Sequence, residues 1–106
     1  MSGRDFEMAT DEQGSDAVVH LKGEVDMDTS PLVRGELTRL RQAGVTRVVV
    51  DLAGVRFFDS TAIGAVVTAF KRFRAEGADL VLRSPSRGVA KVLATTGLDE
   101  VLTVER

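Results

Sequence analysis

The 106-residue chain has no cysteine, no tryptophan and no tyrosine. The first absence excludes disulfides and thiolate metal sites. The other two leave five phenylalanines as the only large aromatics, so Val, Leu, Ile and Ala must fill any core. No stretch approaches the roughly 20 apolar residues that span a bilayer. Met1-Ser2-Gly3-Arg4-Asp5 lacks a basic segment followed by an apolar run, so no secretory signal is expected and the cytoplasm is the expected compartment. Neither a Gly-x-Gly-x-x-Gly pattern nor a phosphate loop ending in Gly-Lys-Ser/Thr occurs, and no cofactor is expected. The formal net charge of −2 argues against non-specific attraction to nucleic acid or anionic lipid. The basic helix positions also lack the interleaved aromatics of a nucleic-acid surface.

What remains is an ordinary globular composition, 43% hydrophobic and 28% charged, at a length that suits one domain covering residues 1–106. The charges are unevenly placed. Up to Asp28 eight acids face only Arg4 and Lys22, whereas most arginines lie between Arg34 and Lys91. One acidic end and one basic helical face are expected.

The pattern predicts the order β β α β α β α β. Phe6–Met8 and the polar stretch to Asp16 read as a first strand and turn, and Ala17–Lys22 as a second strand ended by Gly23. Asp28-Thr29-Ser30-Pro31 predicts a helix start, with a capping hydroxyl and a proline whose missing N–H is not needed there. Val33, Leu37 and Leu40 recur at helical spacing up to Ala43-Gly44. The unbroken Val48-Val49-Val50 predicts a strand covered on both faces. Ala53-Gly54 reads as a turn, after which Val55–Phe58 leads to a second helix carrying Ile63, Val66, Val67, Phe70 and Phe73 on one stripe. Phe57 and Phe58 are both assigned to the core. Leu80–Leu82 predicts a further strand, Ser84-Pro85-Ser86 a third helix, and Val101–Val104 a last strand. Such alternation implies an α/β fold with a mixed, mostly parallel sheet of four to five strands and helices packed against it.

In such a sheet, sites form where strand ends feed helix N-termini. Two of these loops are polar, Gly23–Thr29 and Phe57–Gly64. Ser60 is expected at the N-cap of the second helix, a role that alone would explain a hydroxyl there. A helix N-terminus also favours an anion such as phosphate, and phosphorylation would add about −1.5 to −2 charge at a partner-facing surface. Catalysis is poorly supported. His20 is the only histidine and falls mid-strand, so a Ser–His–Asp arrangement with Ser60 has no evident support. Asp26, Asp28 and Asp59 could gather around a divalent cation, but without the glycine and terminal Glu of a calcium loop they read better as caps and turns.

The motifs Gly23-Glu24-Val25-Asp26, Val48-Val49-Val50-Asp51-Leu52, Val55-Arg56-Phe57-Phe58-Asp59-Ser60-Thr61-Ala62-Ile63-Gly64 and Thr96-Gly97-Leu98 occur in this order. Together they resemble the STAS domain, in particular the bacterial anti-sigma factor antagonists, from about Ala17 to Val104. The resemblance implies a non-enzymatic, cytoplasmic partner switch that regulates transcription. The unmodified protein would bind an anti-sigma factor with serine kinase activity and free a sigma factor. Phosphorylation of Ser60 would end binding, and a serine phosphatase would restore it. It implies a partner-binding surface made of Asp26, Asp28, Asp59, Thr61, Ala62, Ile63 and Gly64, on a chain expected to be a monomer without nucleic-acid or membrane partners. Ala62 stands where the family commonly has Gly, and its methyl is expected to trim which kinase fits. The chain ends soon after the last strand, where the family usually adds a helix. An alternative within the same fold is an adaptor domain of a membrane transport or signalling complex; a weaker one is a nucleotide-binding or hydrolytic activity.

Overall fold

A computed structural model describes residues 5–106, so the expectation about Met1–Arg4 lies outside the described residues. The elements follow the expected order: β1 (Phe6–Gln13), β2 (Asp16–Val25), α1 (Ser30–Gln42), β3 (Arg47–Phe58), α2 (Ser60–Ala75), β4 (Asp79–Arg83), α3 (Arg87–Thr95), a 3₁₀ turn (Leu98–Glu100) and β5 (Thr103–Glu105). They build one five-stranded sheet in the order β1-β2-β3-β4-β5. β1 pairs antiparallel with β2, and the other neighbours are parallel.

Two strands exceed the sequence reading. β1 continues through the polar stretch to Gln13, because all eight of its residues pair with β2, down to Gln13 opposite Asp16. β3 does not turn at Ala53-Gly54. It runs on to Phe58 by shifting register against β2, pairing Asp51 with His20 but Gly54 with Lys22 and Phe58 with Val25. A bulge, not a turn, absorbs the small residues there.

Each parallel pair is joined by one helix, and the strands are added in one direction across the sheet. Crossovers of uniform hand then place their helices on one face. The core agrees: Val19, Leu21, Val48, Val50, Leu52, Leu80 and Leu82 share a buried cluster with Val33, Leu37 and Leu40 of α1, Val66, Phe70 and Phe73 of α2, and Val89 and Leu93 of α3. Val49 and Val81 point to the other face and stay outside this cluster. The valine run of β3 is therefore not sandwiched between helices. Val49 is nonetheless buried, on a face that also carries the His20–Asp51 hydrogen bond and the Arg83–Asp51 and Arg47–Glu105 ion pairs. The outline, 33 × 32 × 20 Å, is that of two layers.

The predicted charge separation is partly undone by pairing. Arg39 of α1 meets Glu12 of β1 at 3.0 Å as well as Glu36 at 2.8 Å. Arg56 of β3 meets Asp5 and Glu24 at 2.9 and 3.3 Å. Lying next to β2, the acidic N-terminal strand comes within reach of the arginines of later elements.

Candidate functional site

Because β2, β3 and β4 are parallel, their C-terminal ends share one rim, and two polar loops stand side by side on it. Val25 and Phe58 are paired, and the Asp59 amide donates to the Val25 carbonyl at 3.2 Å. The strand order never reverses, so the rim does not coincide with a topological switch point of the kind that opens a crevice in doubly wound sheets.

The β2–α1 loop is organised by Asp26, which is only 5% exposed. Its Oδ1 accepts the amides of Asp28 (2.9 Å) and Thr29 (3.2 Å), and its own amide donates to Thr29 Oγ1 at 2.9 Å. The Ser30 amide donates to the Asp26 carbonyl at 2.7 Å. Thr29 occupies the N-cap of α1 but makes no side-chain cap bond. Its hydroxyl faces back towards the Glu24 carbonyl at 3.0 Å. The expected capping hydroxyl of α1 thus locks the loop instead, and Asp26 is loop architecture before it is a contact surface.

The cap of α2 is also displaced from expectation. Asp59, extended at φ −92° and ψ −174°, is the N-cap, and Ser60 is the first helical residue. Asp59 Oδ1 accepts the Thr61 amide (2.9 Å), the Thr61 hydroxyl (2.6 Å) and the Ala62 amide (3.0 Å). Partial burial pushes the Asp59 carboxyl up, but hydrogen bonds from the Thr61 hydroxyl and the amides of Ala62, Thr61 and Met27 outweigh it and hold its pKa below the ordinary carboxylate value. The Met27 amide comes from the neighbouring loop, so one carboxylate ties both loops together. Both residue types cap well, and the backbone decides between them: Asp59 has the extended conformation of an N-cap, whereas Ser60 is already helical.

Relieved of capping, Ser60 is exposed, and its hydroxyl makes no hydrogen bond among the described residues. Around it, Asp28, Thr61 and Gly64 are exposed and Ile63 is half-buried. Ala62 is 1% exposed and belongs to the core. Its methyl therefore offers a partner no surface; this position meets the site only through the amide bound to Asp59. Any effect of this methyl on which kinase fits therefore has to pass through the packing beneath the site. The assignment of Phe57 to the core is corrected: Phe58 is in the core, but Phe57 is 51% exposed. With Met27, 70% exposed, and Leu32, 55% exposed, it supplies apolar surface around the rim. The exposed methionine is legible in the sequence only as an apolar residue between two aspartates.

His20 stands apart from this site. It is exposed on β2, with Nδ1 2.9 Å from Asp51 Oδ2 on the helix-free face of the sheet. Asp51 is raised by burial, but the Ala53 amide, His20 and Arg83 together bring its carboxyl below its ordinary pKa. His20 is thus engaged with an ion-pair row and not with Ser60.

Residues 7–106 match the STAS domain family. The chain belongs to the STAS family. Among curated relatives, it is 32% identical over 89 residues to an anti-sigma-B factor antagonist of Listeria monocytogenes, covering 82% of this chain and 76% of that protein. A second, the anti-sigma-B factor antagonist of Bacillus subtilis, is 29% identical over 90 residues, covering 85% and 82% of the two chains. In fold, this STAS chain is similar to the anti-sigma factor antagonist SpoIIAA in its unphosphorylated form, with a TM-score of 0.81 at 22% identity, over 92% of this chain and 87% of the other. The five-stranded mixed sheet with three helices is the arrangement these structures share.

Proposed function

We propose that this protein is an anti-sigma factor antagonist, a binding module and not an enzyme, whose rim holds an anti-sigma factor while Ser60 is unmodified and loses it once Ser60 is phosphorylated. The observation that carries the reading is the free, exposed hydroxyl of Ser60 beside a cap made by another residue. A kinase can take this hydroxyl without undoing a hydrogen bond that the fold uses.

In the transfer, Ser60 Oγ attacks the γ-phosphorus of ATP. The bond from phosphorus to the bridging oxygen of ADP breaks, and the hydroxyl proton leaves to a base. Asp59 is a poor base for it, because its carboxylate is stabilised in the ionised form by its four donors. The partner kinase supplies the base on this account. The new phosphate sits at a helix N-terminus, where amides and dipole favour an anion, so the fold tolerates it. It also adds negative charge next to Asp59 in the chain, on a rim whose loops carry the exposed Asp28 and the exposed apolar Met27 and Phe57. A partner surface matched to the unmodified rim, apolar or acidic, is then opposed by charge and by the water the phosphate holds. A serine phosphatase returns the hydroxyl and resets the switch.

The exposed apolar side chains Met27, Leu32 and Phe57 at the rim suit a macromolecular partner. The test is capture of the anti-sigma factor encoded by the same genome, using wild type, Ser60→Ala and Ser60→Asp as baits. The reading expects retention by the first two and loss by the third. Equal retention by all three would favour the adaptor alternative, in which Ser60 sets nothing.

A further inference from the structure

Five of the ten arginines among the described residues have carboxylate partners: Arg39, Arg41, Arg47, Arg56 and Arg83 are ion-paired. Arg34 of α1 and Arg72 of α2 are not, among the described residues. These two line one cleft of about 100 Å³ between the helices, together with Thr38, Thr68 and Ala69. Each helix contributes an arginine and a threonine four residues apart, hence on one face. Neither threonine hydroxyl makes a hydrogen bond among the described residues, and no acid lines the cleft. The arrangement brings two arginines and two threonines to one small cleft with no acid among its lining residues, so like charges adjoin it without a counter-charge. An oxyanion there would supply that counter-charge and use the bidentate geometry that guanidinium offers.

We propose that the α1–α2 cleft is an oxyanion site for a phosphate group, held by Arg34 and Arg72 and completed by the Thr38 and Thr68 hydroxyls. It is separate from the Ser60 rim: Thr68 and Arg72 lie 8 and 12 residues along α2, or about 12–18 Å from its start. The site stands whether or not Ser60 is a switch. A phosphate group can come from free phosphate or from a nucleotide, and the cleft volume suits the group alone.

The experiment is amide and guanidinium NMR titration of the full chain with inorganic phosphate at constant ionic strength, repeated with ATP. Saturable shifts confined to Arg34, Thr38, Thr68 and Arg72 are expected. Arg34→Gln and Arg72→Gln should each weaken binding about tenfold, the loss expected for one charge-assisted contact. Both side chains are exposed, so these variants should fold, as unchanged spectra elsewhere would show. Arg34→Lys should restore only part of the affinity, since it keeps the charge without the fork. Equal affinity for ATP identifies the free anion as the ligand, whereas a gain of about tenfold or more, lost in the same variants, identifies a nucleotide phosphate. Non-saturating shifts shared with Arg87 and Arg106, or affinity unchanged in both Gln variants, would overturn the proposal.

Discussion

Replacing Asp59 by alanine removes one carboxylate oxygen that accepts two amides and a hydroxyl at 2.6–3.0 Å, together with the bond that the Met27 amide donates to the same carboxylate. Loss of an N-cap side chain costs about 0.5–2 kcal/mol, and the charged acceptor places this cap in the upper part of the range. We expect Asp59→Ala to lose about 1–2 kcal/mol, read as a lower urea midpoint at unchanged slope. Asp59→Asn should lose less, since Asn caps nearly as well but carries no charge. Ionisation gives the pH dependence. The folded pKa lies below the unfolded one, so the ionised carboxylate's contribution is full at neutral pH. It disappears as pH falls below about 4, through the unfolded and then the folded pKa. The gap between wild type and Asp59→Asn should therefore be constant from pH 7 to 5 and close in acid. Ser60→Ala is the companion measurement. If Ser60 were the cap, it would show the larger loss; with Asp59 as the cap, it should stay within about 0.5 kcal/mol of wild type. A Ser60→Ala loss exceeding that of Asp59→Ala would refute the assignment.

Further expectations follow from the glycines and the rim. Gly64 is exposed in α2, and a Cβ built there meets nothing within 4 Å; Gly64→Ala should stabilise the fold by about 0.5–1 kcal/mol in thermal melts, yet weaken capture of the partner if its backbone approaches this turn. Gly23 has φ +91°, and a Cβ would lie 1.9 Å from the Asp5 carbonyl oxygen; Gly23→Ala should lose about 2 kcal/mol or more and free β1, seen as faster amide exchange of Phe6–Met8. Met27→Ser should leave the urea midpoint within about 0.5 kcal/mol and reduce partner affinity, because this exposed side chain does no work in the core.

Much of this architecture was legible because it rests on local signals. The helical spacing of Val33, Leu37 and Leu40 and the stripe from Ile63 to Phe73 located α1 and α2. Gly44 ended α1 as expected, with the Val45 amide reaching the Leu40 carbonyl at 3.1 Å. The misses are tertiary. β1 looked too polar to be eight residues long because an edge strand needs only one apolar face, here Phe6 and Met8. Ala53-Gly54 has the composition of a turn, and only pairing with Lys22 reveals a bulge. The valines of β3 cannot say whether helices cover one face or two; the direction in which strands are added decides that. At the site, the sequence brought Asp59 and Ser60 to a helix start but could not divide the work between them, since that depends on the extended backbone of Asp59. The Met27 amide and the Asp59 carboxylate that it acts on are 32 positions apart in the chain and leave no local trace.

Whether Ser60 carries the switch is decided by the affinity of stoichiometrically phosphorylated protein for the anti-sigma factor. The chain is incubated with that kinase and ATP, the modified residue is located by mass spectrometry, and binding is then titrated by calorimetry. Phosphate is expected on Ser60, not on Thr61, Ser84 or Ser86, with an unchanged fold and affinity lowered by about a hundredfold or more, the equivalent of nearly 3 kcal/mol. Phosphate mainly at another residue, or undiminished binding by the Ser60-phosphorylated protein, would contradict a switch at Ser60.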